Sequence, residues 1–188
     1  NHLLADESGE PLANFRFSRE FNTEEKEMIL GAHQLALDSI AVCNNLNEEE
    51  KTKLYATYTR PISHRRLYGS RLLGQATRYG QSISVNLSLL IAMPPNELPQ
   101  TLIHEMMHCA GFTHPKKKAS DKPVSGNEYF NSPPLRAELC IVGVQSDVAD
   151  KEAMISSFND KTCVERNGAF IITTSPKIIV LLKSSGNS

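Results

Sequence analysis

Apolar positions recur along this chain with two different periods, and the periods divide it into elements. "NFRFSRE" (14–20) sets Phe15 and Phe17 against polar neighbours, the period-two alternation of a half-buried strand. Asn22 followed by Glu25 is a capping-box pattern and predicts that a helix starts there. Met28, Ile29, Ala32, Leu35, Ala36, Ile40 and Val42 build its apolar face. "LNEEEKTKLYATYTRP" (46–61) predicts a second helix, stopped by Pro61. Residues 67–80 carry Gly69, Gly74 and Gly80 among basic residues and read as turns and short strands. "SISVNLSLL" (82–90) puts Ile83, Val85, Leu87 and Leu89 on one face and predicts a single strand. "MPPNELPQ" breaks that strand and leads into a helix from about Asn96 to Ala110. Gly111, the residue best able to take the left-handed conformation, ends it.

Beyond His114 the texture changes. Residues 115–134 are polar, proline-rich and without a core pattern, and predict a long loop. "AELCIVGV" (137–144) resumes apolar character, and 146–158 reads equally as helix or turn. "AFIITT" and "KIIVLLK" predict two terminal strands. The elements together predict an α+β fold in one domain over residues 1–188. Helices and strands fill the half up to Gly111, and residues 112–188 form a less regular half.

Composition narrows the function classes. The 188 residues are 40% hydrophobic and 22% charged, with a formal net charge of -1. No global field therefore recruits nucleic acid or an acidic membrane surface. No apolar run reaches the ~18 residues of a membrane span, so neither partner is expected, and the chain is read as a monomer. "SHRRLYGSR" (63–71) and "KKK" (116–118) are basic clusters that a neutral chain most simply places on solvated faces. The second follows His114 directly and is expected to border any cleft there. The chain opens on Asn1 rather than Met, which predicts that something upstream is removed. Cys43, Cys109, Cys140 and Cys163 are even in number and fit two disulfides, in any of three connectivities, the pairing expected of an exported chain; four buried free thiols would leave the same count.

One stretch carries chemistry. "HEMMHCAGFTH" (104–114) holds three of the six histidines. On a helix, residues i and i+4 stack about 6 Å apart, so His104 and His108 can aim both imidazoles at one ion. Glu105, one residue on, is rotated away from that pair and can approach a water on the metal without ligating it. Gly111 lets the backbone reverse, and His114 can return as a third ligand, leaving a fourth position for water. From this chain's own residue frequencies, the five fixed positions match by chance in on the order of one chain per 10⁴–10⁵. His33 and His64 have no partner at ligand spacing and read as structural or exposed.

Here the chain resembles the metzincins, whose signature H-E-x-x-H-x-x-G-x-x-H is followed by a Met-turn. The Gly-Phe-x-His segment is most similar to astacin-like members. The resemblance implies a secreted zinc endopeptidase with protein or peptide substrates. Its expected fold has a twisted mixed sheet with helices in the N-terminal subdomain (1–111), an irregular C-terminal subdomain (112–188), and the zinc cleft between them. His104, His108 and His114 would hold one catalytic Zn²⁺, and Glu105 would be the base. An edge strand before the zinc helix, at Ser84, Val85 and Asn86, would pair with extended substrate. Met154, the sole methionine after His114, is the Met-turn candidate, although "KEAMISSF" reads equally as helix. Astacin-like members carry a tyrosine two residues after the Met; here that position is Ser156, and Tyr129 is the candidate for a further ligand in its place. Two other roles fit the same residues: a toxin or effector protease of narrow specificity, and a non-catalytic module with a structural zinc.

Overall fold

The computed structural model describes residues 9–121, 128–145 and 160–175. Six strands form one mixed sheet: β1 (Arg16–Phe17), β2 (Ser63–Arg66), β3 (Leu72–Thr77), β4 (Ser82–Val85), β5 (Lys161–Arg166) and β6 (Ala169–Thr174), in the spatial order β1-β2-β4-β3-β6-β5. The β1–β2 and β2–β4 pairings are parallel, and every pairing from β4 to β5 is antiparallel. Among the described residues five helices accompany the sheet: α1 (Thr23–Ala41), α2 (Glu48–Tyr58), α3 (Leu87–Leu90), α4 (Glu97–Cys109) and α5 (Pro133–Gln145). The class is α+β, as expected. None of these helices is long and apolar enough to cross a membrane.

The predicted starts of α1 and α2 rest on reciprocal caps. Asn22 accepts from the Glu25 backbone N–H at 2.8 Å and Glu25 accepts from that of Asn22 at 3.1 Å; Asn47 and Glu50 repeat the arrangement. The buried face of α1 is turned from the predicted one. It runs through Ile29, Ala32, His33, Ala36, Leu37 and Ile40, while Met28 and Val42 are exposed. A buried histidine at the centre of the stripe hid its true axis. His33 Nε2 meets His64 Nε2 at 2.9 Å inside a cage of Phe15, Phe17 and Tyr58 rings. Both histidines are therefore structural.

The stretch 82–90 is not one strand. β4 ends at Val85, and Asn86 turns the chain into α3. Buried Asn86 donates to the carbonyls of Gly69 (2.8 Å) and Leu72 (2.7 Å) and accepts from Leu89 N–H (3.3 Å), so its side chain ties two loops rather than facing solvent. Nor is β4 an edge. It lies between β2 and β3, with both flanks hydrogen-bonded, so Ser84 and Val85 offer no free backbone to a substrate and Asn86 lies beyond the strand's end. Among the described residues the sheet edges are β1 and β5.

The chain after Gly111 is more regular than its composition suggested. Residues 133–145 form α5, and the β5–β6 hairpin continues the sheet begun by the first half, pairing β6 with β3. Tyr129 and Phe130 anchor a small second cluster with Leu135 and Val142. Two links fasten α5 to the first half. Cys140 is disulfide-bonded to Cys43, and Arg136 makes a bidentate pair with Glu50 at 2.7 Å to each oxygen. The two-bridge expectation fails, because Cys109 and Cys163 are free thiols, each buried on a different element. The predicted strand at 177–183 lies outside the described residues.

Candidate metal centre

Helix α4 is buried on every side, packed against α1, α5, β3 and β4. Its C-terminus closes as a Schellman motif: Gly111 N–H donates to His108 O (2.9 Å) and Phe112 N–H to Met107 O (3.0 Å). Gly111 has φ +103°, and a β-carbon there would sit 2.1 Å from the Tyr79 ring, so no other residue fits. Arg60, Arg78 and the Tyr79 backbone N–H donate to the carbonyls of Cys109, Gly111 and His108 respectively, satisfying the helix end. On its other flank α4 meets β3 at Gly74, where a β-carbon would lie 2.8 Å from Thr101 Cγ2 and 3.4 Å from Glu105 Cγ. That close approach sets the position of Glu105.

His104, His108 and His114 come together as the spacing predicts. Their ring centroids form a near-regular triangle with sides of 4.9, 5.4 and 5.1 Å. Each Nδ1 faces an acceptor: Glu138 Oε2 for His104 (2.9 Å), Phe112 O for His108 (2.8 Å) and Pro115 O for His114 (3.2 Å). Partners that only accept place the proton on Nδ1 and leave the Nε2 lone pairs free. Nε2 of His104 and of His114 is buried without any hydrogen-bond partner. Burial, reinforced by the neighbouring imidazoles around His104 and His108, holds all three rings below their ordinary pKa, in the neutral form that ligates metals. His108 stacks on Phe170 at 3.9 Å and 13°, and His114 packs edge-on against Tyr129 and Phe170.

Two members of the site had no signal in the sequence. Cys163 on β5 brings its sulfur to 3.9 Å from His108 Nε2, and one ligand atom from each of His104, His108, His114 and Cys163 lies within 4.8 Å of the others. This group can hold a metal ion: four soft or borderline donors, mutually close and shielded, with orphaned ring nitrogens turned inward. Glu138 on α5 is the second. It orients His104 and lies 3.5 Å from Lys161 Nζ, which in turn pairs with Glu97 at 2.7 Å. Burial opposes the charge on Lys161, but Glu97 and Glu138 together outweigh it and hold its pKa above the ordinary range.

Glu105 is fully buried and neither carboxylate oxygen has a hydrogen-bond partner. Burial, helped by the Glu138 charge, pushes its pKa well up. Tyr129 is buried, and its hydroxyl accepts from Cys163 N–H at 3.1 Å. Its oxygen thus holds the Cys163 backbone, and Cys163 joins it as a further candidate ligand. Met154 lies outside the described residues. A cleft of about 360 Å³ opens beside the group, lined by His114, Lys116, Cys163, Glu165, Arg166 and Phe170. Lys116 does border it, as its place after His114 implied.

No protein-family model, no curated protein and no solved structure matches this chain.

Proposed function

We propose that the chain is a zinc-dependent endopeptidase of the metzincin type, with His104, His108 and His114 as ligands and Glu105 as general base. The observation that carries this reading is the pairing, on one rigid helix, of two inward-aimed imidazoles with an unpartnered buried carboxylate between them in sequence. Three nitrogens and a neighbouring thiol are borderline-to-soft donors, which suits Zn²⁺ better than Ca²⁺ or Mg²⁺. When bound, zinc would supply Lewis acidity, polarising a scissile carbonyl and making water more acidic. Glu105 then has two tasks. Its carboxylate accepts the proton of the attacking water and passes it to the leaving amine. Glu138 fixes the His104 tautomer, and Phe170 fixes the plane of the His108 ring. The Cys43–Cys140 bridge supports export to an oxidising compartment, and the substrate is a protein or peptide reaching the cleft beside His114.

Cys163 favours a second reading. Four protein ligands make a closed, structural zinc site, and the chain would then be a binding module. Glu105→Gln separates the two. It keeps size and polarity but removes the base, so an enzyme variant retains zinc and fold while peptide hydrolysis drops by ~10²–10⁴-fold. Zinc-loaded parent and Cys163→Ala proteins that both cleave nothing in a denatured protein mixture support the module.

A further inference from the structure

The strand that delivers Cys163 belongs to a hairpin, and the hairpin does two things at once. β6 occupies the flank of β3, the strand beneath Glu105, so no open sheet edge remains there. β5 brings the Cys163 sulfur to within 4.8 Å of a ring nitrogen of each of the three histidines. The placement is braced. The Cys163 backbone donates to Tyr129 Oη, Lys117 Nζ donates to the Lys161 carbonyl, and Lys161 is anchored on Glu97 and Glu138. Phe170, next to β5 in the hairpin, stacks on His108, and Cys163 pairs in register with Ile172. The sulfur is buried, and among the described residues its hydrogen-bond contact is the His108 nitrogen.

We propose that Cys163 is a fourth protein ligand, so that the folded chain carries a closed His₃Cys metal centre, and that hydrolysis requires this thiolate to leave the metal. The inference rests on the metallopeptidase reading for its second clause only. On metal entry the Cys163 S–H bond breaks, its proton goes to solvent, and a sulfur–metal bond forms with no change of oxidation state. The fourth position that attacking water needs is then filled by sulfur, which makes the hairpin an internal brake on the site.

The test loads the full chain and its Cys163→Ala variant with Co²⁺, which substitutes for zinc and reports sulfur ligation directly. The parent should show an intense near-ultraviolet thiolate-to-Co(II) charge-transfer band at one equivalent, and the variant should lack it. In competition with a chelator for Zn²⁺, the variant should hold the ion at least ~10-fold less tightly, since loss of a direct ligand should exceed the lower bound for an outer partner. The variant's peptide hydrolysis, measured with enough Zn²⁺ to fill its site, should exceed the parent's by at least tenfold. A parent bearing one equivalent of Co²⁺ without the band overturns the ligation, and that result needs no variant to fold. Band present but equal, measurable hydrolysis by both proteins overturns the brake. Band present with no hydrolysis by either protein overturns the peptidase reading and leaves the ligation standing. Failure of the parent to bind any metal overturns both.

Discussion

Glu138 Oε2 lies 2.9 Å from Nδ1 of His104, and the two residues come from different helices, 34 positions apart. This contact sets the first ligand's tautomer and direction. It depends in turn on α5 being fastened by the Cys43–Cys140 bridge and the Arg136–Glu50 pair. Glu138→Gln retains the shape but removes the charge that orients and polarises the imidazole. Zinc affinity, read by chelator competition, should fall ~10–100-fold with the fold intact. Unchanged affinity would show that Glu138 serves only Lys161.

The single bridge predicts a simple thiol count. Unfolded without reductant, the chain should alkylate at two cysteines, Cys109 and Cys163; after reduction it should alkylate at four. Reducing a cross-link that spans 97 residues should cost about 4 kcal/mol of stability, measured as a shift in the urea midpoint. Four alkylated cysteines before reduction would contradict the fold around α5.

The His33–His64 pair predicts a pH dependence away from the metal centre. Burial lowers the pKa of His64 from 6.5 to about 4, and the surrounding Phe15, Phe17 and Tyr58 rings offer no charge to offset it. Between those values the unfolded chain binds a proton that the folded chain refuses. Stability is thus present above pH 6.5 and lost as pH falls towards 4, by about 3 kcal/mol for this group. His64→Leu should be less stable than the parent at pH 7, and the gap should narrow towards pH 4. A gap that stays constant would contradict the neutral buried pair.

Gly74→Ala tests how β3 sets the height of α4. The added carbon meets Thr101 Cγ2 at 2.8 Å, and overpacking of this kind costs about 1–3 kcal/mol. Thr101→Ser removes that methyl and should restore most of the loss in thermal stability. A Gly74→Ala protein as stable as the parent would show that α4 and β3 have slack at this point.

What was legible in the chain was local. The capping box at Asn22, the helix stop at Gly111 and the histidine spacing all act within a few residues, and each appears where expected. The 82–90 stretch misled because its alternation continues past Asn86, whose buried amide binds carbonyls from residues 69 and 72, contacts that no local pattern records. The face of α1 misled because His33, held neutral by burial and facing a partner 31 residues away, packs like an apolar residue. Cys163 and Glu138 join the site only through the hairpin and α5, long-range placements with no motif around either residue. The edge-strand assignment failed for the same reason, since the strands flanking β4 are set by topology.

The central claim is that His104, His108 and His114 converge to bind one metal ion. Metal content of the native, chelator-treated and zinc-reconstituted chain, measured per folded molecule alongside His108→Ala, tests it most directly. The account predicts one equivalent of zinc for the parent, and loss of stoichiometric binding in a His108→Ala protein that still folds. A natively folded parent that takes up no zinc, or a His108→Ala protein that keeps a full equivalent, would contradict it.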